Sequence, residues 1–223
     1  MRMTTSSNLA ASAISPNNKS LNWIRPQLFV QIKSTFTKAE LNQLGQPLIT
    51  NETQTGKTKA LETLAADSVV AKETSLGPDH EDTLGAMHTL GLVQSEVGSP
   101  ARAEQTWRKM LTIRERDSPY SALAVRSNLG FVLVEQGKYQ EAEEIARQLL
   151  PALQKRYGKE SPQALGTLRQ LIEAVGGQRR VEDAKSLVEE GFVLVGGMGG
   201  GKFTEYQQEE LEALQQVAAR LGE

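Results

Sequence analysis

The residues most capable of chemistry lie near the C-terminus. Gly196…Gly201-Lys202 has the G-x-x-x-x-G-K spacing of a loop whose backbone amides cradle phosphate, and Phe192-Val193-Leu194-Val195 before it could pass for the feeding strand. Such a loop needs Ser or Thr next to bind magnesium, and here Phe203 follows. It also needs a parallel sheet and a second acid, and only a short helical pattern remains. The stretch therefore reads as a glycine linker, with nucleotide binding kept as the alternative. Thr55-Gly56-Lys57-Thr58 imitates the end of the same motif, but Asn51 stands where the first glycine belongs. His80 and His88 are the two histidines; Asp79, Glu81 and Asp82 lie close to His80 in sequence, a set that could hold a metal. A cap-region loop residue and a helix-face residue are the simpler explanation of both. No Ser-His-Asp or paired-carboxylate spacing is present. The sequence reads as a non-enzyme, with no catalytic residue, cofactor or metal.

The bulk composition narrows the classes further. The 223 residues are 39% hydrophobic and 23% charged, ordinary for a globular chain. Aromatics are only 5%, so Leu, Val and Ala must build the core. A formal net charge of -2 offers no attraction for nucleic acid or anionic membrane. There is no cysteine, which rules out disulfides and thiolate metal sites. No apolar run approaches the roughly 20 residues a membrane-spanning helix needs.

The elements that must position any site are helices. Residues 1–37 form an acid-poor leader expected to be disordered or weakly ordered; its Ser and Arg content leaves mitochondrial transit as an alternative to a cytoplasmic location. Trp23 to Phe36 is more apolar, and Lys38 to Thr50 looks helical until Pro47. Thr50 to Thr58 reads as a break, and Lys59 to Ser75 as a helix ended by Gly77 and Pro78, with Asp79 or Asp82 to cap its successor. The stretch Ala122–Tyr157 reads as two antiparallel helices joined at Gln136-Gly137-Lys138.

From residue 77 onward the chain aligns with itself. Leu90-Gly91, Leu129-Gly130 and Leu171-Ile172 are spaced by 39 and 42 residues, and so are Ala103, Ala142 and Ala184. The turns match as well: Gly98-Ser99-Pro100, Gly137-Lys138-Tyr139 and Arg179-Arg180-Val181. Each unit is a helix pair that cannot bury its apolar faces alone, so neighbours must stack. Trp107, Ala146 and Val188 share one second-helix position, expected to face the next pair. Arg179 replaces the turn glycine in the third unit, and Gly176-Gly177 is expected to end the preceding helix early.

Asn128-Leu129-Gly130, Gly137-Lys138-Tyr139 and Glu141-Ala142, with the loop GPDHEDTL (77–84), resemble the tetratricopeptide repeat in its kinesin-light-chain-like form of about 42 residues. The resemblance implies an all-α solenoid of helix-turn-helix repeats with a C-terminal capping helix. The repeat domain would cover 38–195: a degenerate first unit, then about 77–116, 117–157 and 158–195. A glycine-rich linker (196–202) would lead to the cap at 203–223, whose Leu211, Leu214, Val217, Ala218 and Leu221 share a face. The resemblance also implies a protein-interaction scaffold binding a peptide segment of a partner in a concave groove lined by first helices. Gly85, His88, Leu92, Ala124, Ser127, Asn128, Phe131, Gly166, Arg169 and Glu173 would line it. His88, Leu92, Ser127, Asn128, Phe131, Arg169 and Glu173 are the partner-binding candidates, with Asn128 able to donate and accept toward a peptide backbone. The alternative is a piece or relative of a larger receptor-like repeat protein used for sensing or self-association. The expected partner is protein or peptide, not nucleic acid or membrane.

Overall fold

The structure, a computed structural model, describes residues 54–117, 122–196 and 205–221. The readings of the leader, of Trp23–Phe36, of Lys38–Thr50 and of Gly197–Lys202 lie outside them. The described residues form eight helices and no strand: α1 (Gln54–Leu76), α2 (Glu81–Glu96), α3 (Pro100–Asp117), α4 (Leu123–Glu135), α5 (Tyr139–Tyr157), α6 (Pro162–Gly177), α7 (Val181–Gly196) and α8 (Glu205–Leu221). The chain divides into two compact units, Met1–Ile113 and Arg114–Glu223, with the boundary inside α3.

In the first unit, α1 packs on α2 through Ala65 and Val69, both buried. The helix begins at Gln54, earlier than Lys59, so the expected break at Thr50–Thr58 is partly helical. Gly56 alone costs such a turn only about 1 kcal/mol, which a long helix absorbs. Ion pairs from Glu62 to Arg102 (2.8 Å) and from Glu73 to Lys109 tie α1 to α3. The cap of α2 is neither Asp79 nor Asp82 but His80, whose Nδ1 accepts from the Asp82 backbone N–H at 3.1 Å. Its extended backbone puts the ring over the first turn, the same job an Asp side chain performs. The α2–α3 pair closes on Trp107, which is fully buried. Its six-membered ring lies on Gly91, where an added Cβ would be 2.5–2.8 Å from three ring atoms. Trp107 thus faces its own partner helix, a contact the shared register does not convey.

The second unit stacks α4, α5, α6, α7 and α8 in sequence, each against its predecessor, and also joins α4 to α6 and α6 to α8. Ser161 caps α6, accepting from the Ala164 N–H at 3.3 Å, with Pro162 preset for the first turn. One core runs through this unit: Ala146 from α5, Leu168, Ile172 and Val175 from α6, Val188 and Val195 from α7, Leu214 and Val217 from α8. Ala146 and Val188 do face the following helices.

The intra-pair turns repeat one backbone shape. Gly98 and Gly137 have φ of 73° and 72°, and Arg179 takes the same left-handed conformation at 62°. Repeat geometry therefore overrides residue preference at Arg179, at a cost of about 1–2 kcal/mol. Gly176-Gly177 do not end α6 early, because both serve as notches inside it. A Cβ on Gly177 would lie 2.5 Å from the Tyr139 ring, and one on Gly176 2.6 Å from Leu221. Glu143 fastens the same corner. It accepts from Arg147 (2.8 Å), from Gln178 (2.7 Å) and from Arg180 (2.9 Å).

Candidate functional site

The first helices α2, α4 and α6 position the candidate residues. On α2, His88 is half-buried and meets the Trp107 ring edge-on, with centroids 5.2 Å apart and planes at 72°. Its place is fixed by the indole that Gly91 admits. Leu92, four residues on, is 4% exposed and belongs to the core. These two residues stand in the first unit, and the other five in the second.

On α4, Ser127 and Phe131 are half-buried, one helical turn apart, while Asn128 is 8% exposed. Phe131 reaches toward α6: a Cβ on Gly166 would sit 3.9 Å from its ring tip, an ordinary contact. Arg169 lies one turn beyond Gly166 and is half-buried. The structure thus brings Phe131 to the Gly166–Arg169 turn, on consecutive first helices. Glu173, a further turn along α6, is engaged by Arg220 of α8 at 3.3 Å.

Sequence reasoning overlooked Gln170. It is fully buried, and its amide covers Gly130, where an added Cβ would fall 1.7 Å from Nε2. Neither its Oε1 nor its Nε2 has a hydrogen-bond partner. The signal was present in the alignment: the 39- and 42-residue offsets put Thr89, Asn128 and Gln170 at one register position. All three are buried polar residues, and Thr89 satisfies itself by donating to the Gly85 carbonyl at 3.1 Å.

Charge at the site is modest, and the one resolved carboxylate shift lies behind it. Burial disfavours the charge on Glu143, but hydrogen bonds from Arg147, Gln178 and Arg180 outweigh it and hold the pKa below the ordinary carboxylate value. The arrangement is structural: a charge clamp between α5 and the α6–α7 turn, with nothing placed for proton transfer. Among the described residues no group of three or more His, Asp or Glu side chains could hold a metal ion. Phe192–Val195 lie inside helix α7, so the strand that a phosphate-binding loop requires is replaced by helix. No described helix is long and apolar enough to cross a membrane.

Paired antiparallel helices, repeated with small residues at their crossings, define the class: a tetratricopeptide-like α-solenoid fold. Residues 122–163 match the tetratricopeptide repeat family model. Two crystal structures of nearly identical TPR-like repeats, from a Podosopora anserina putative kinesin light chain, share the fold. The first has a TM-score of 0.60 at 18% identity, covering 88% of this chain and 95% of that one. The second, a point variant of those repeats, has a TM-score of 0.62 at 18% identity, covering 98% and 96%. Comparison with curated proteins returns no match. Residues 122–163 thus carry a tetratricopeptide repeat, and the fold is that of the TPR-like repeat structures.

Proposed function

We propose that the chain is a non-enzymatic scaffold that holds a peptide segment of a partner protein along the first helices α4 and α6 of its second unit. Tetratricopeptide repeats generally mediate protein–protein interaction, and such scaffolds are typically not enzymes. The observation that supports a peptide strip here is the approach of Phe131 to Gly166. It sets an aromatic ring, the Ser127 hydroxyl and the Arg169 guanidinium on neighbouring turns of α4 and α6. An apolar body flanked by polar tips suits an extended or helical segment better than a small polar substrate. Asn128 would offer its amide at the floor of that strip, and Glu173 would mark its end.

The test is capture of binding partners by the full chain and by an Asn128→Ala/Arg169→Ala variant of unchanged helicity. The proposal expects the variant to lose the partner. Retention of the same partners at the same yield would place binding elsewhere, as self-association through another surface would. Adding ATP and magnesium should leave the melting temperature unmoved, since a ligand specific to the folded state raises it. A cytoplasmic site of action follows from the sequence reading alone, and import of a reporter fused to residues 1–37 into mitochondria would overturn it.

A further inference from the structure

Helix α8 closes the core of the second unit. Two of its leucines, seven residues apart, fill two glycine notches. Leu214 lies over Gly191 of α7, where an added Cβ would be 3.1 Å from both its methyls, and Leu221 lies over Gly176 of α6. Leu214 and Val217 are buried in this seam, and Leu211 and Ala218 flank it. Arg220, beside the second leucine, reaches Glu173. Glu209 and Glu212 stay in water on the opposite side. The socket therefore reads a definite pattern: leucine, six residues, leucine, with arginine immediately before the second.

The connection to this helix is different. Four residues join α1 to α2 and four join α5 to α6, short enough to fix the incoming first helix. Eight residues, 197–204, stand before α8, and four of them are glycine. A joint twice as long as those before α2 and α6 leaves the docking of α8 to its own contacts.

We propose that the α6–α7 face is a helix-docking socket and that α8 is its resident, exchangeable ligand. The socket stands whether or not the first-helix strip binds a peptide. Only one consequence rests on that reading: undocking of α8 frees Glu173 for the strip's partner.

A fluorescent peptide of residues 203–223 tests the proposal, using the full chain. The Leu214→Ala/Leu221→Ala chain loses its own plug and should bind the labelled peptide while keeping α1–α7 helical. A peptide carrying the same two alanines should bind at least about a hundredfold more weakly, as expected for two buried leucines. Glu173→Lys added to that chain should weaken the peptide about fivefold, and an Arg220→Glu peptide should recover the loss. Gly176→Leu added to that chain fills the notch that receives Leu221 and should abolish peptide binding. Equal binding to the filled-notch chain would mean non-specific adhesion and overturn the proposal. So would failure of the folded Leu214→Ala/Leu221→Ala chain to bind. Global unfolding of that chain would overturn it too, by making α8 an integral helix.

Discussion

Gly91 in the first unit and Gly130 in the second hold the same register position, yet they are filled in different ways. Gly91 takes the face of the buried Trp107 from its own pair, with His88 against the ring edge. Gly130 takes the end of Gln170 from the next first helix. Nearby amides differ correspondingly. Gln94 in the first unit is buried and paired, accepting from the Thr106 hydroxyl at 2.7 Å, whereas Gln170 is buried with both ends of its amide unpaired. One repeat position can thus close a pair with a rigid apolar wedge or join two pairs with a flexible polar one. Both fillings bury a polar group without a partner, the Trp107 Nε1 in the first and the Gln170 amide in the second, so what separates them is a rigid ring against a flexible side chain.

The comparison predicts unequal responses to substitution. The largest belongs to Trp107→Ala, which should cost about 3–5 kcal/mol, because the indole heads the fully buried side chains by volume among the described residues and its loss leaves a cavity. Chemical denaturation of the full chain measures it; a loss below about 1 kcal/mol would mean that the wedge is not what closes the pair. Next is Gly91→Ala, expected to cost about 1–3 kcal/mol, since the new methyl meets ring atoms that cannot move aside. Gly130→Ala should cost less than about 1 kcal/mol, because a glutamine tip can swing away and alanine gains about 1 kcal/mol of helix propensity. Equal losses at the two glycines would erase the distinction drawn here.

Two smaller effects sharpen the account of the second unit. Glu143 has a folded pKa below its ordinary value, so its contribution is present above the unfolded carboxylate range near 4.5 and fades as pH falls through the folded value. The stability gap between the parent and Glu143→Gln should therefore be full at neutral pH and shrink below about pH 4.5. A gap that widens on acidification would contradict the clamp. Arg179→Gly should stabilise by up to about 1 kcal/mol: it removes the cost of a left-handed arginine, partly offset by the greater freedom of unfolded glycine. A melting temperature that falls would show that the arginine side chain, not the turn geometry, matters there.

Much of this fold was legible because helical repeats write themselves twice. The spacing of Leu90, Leu129 and Leu171, and of Ala103, Ala142 and Ala184, carried the pairs and their order. What periodicity could not convey was which neighbour fills a small residue's notch. Gly176 and Gly177 look like helix stops in one dimension and prove to be seats for Leu221 and Tyr139. His80 was not the expected cap, because its ring supplies an acceptor that composition rules assign to Asp. Among the site candidates, sequence could place residues on a first helix but not weigh their depth: Leu92 and Asn128 lie inside, while Ser127, Phe131 and Arg169 remain half-open. Gln170 escaped notice because a glutamine between two apolar turns reads as solvent-facing until its glycine partner is seen.

The central claim is that one repeat position is filled in unlike ways, within a pair at Gly91 and between first helices at Gly130, and a double-mutant cycle on Gly130 and Gln170 tests it most directly. Denaturant midpoints would be measured for Gly130→Ala, Gln170→Ala and the pair. The account predicts strong coupling: the double variant should be at least as stable as Gln170→Ala alone, because removing the amide makes room for the methyl and leaves no unpaired group behind. Losses that simply add, with the double variant the least stable of the three, would show that Gln170 does not occupy the Gly130 notch and would contradict the packing described here.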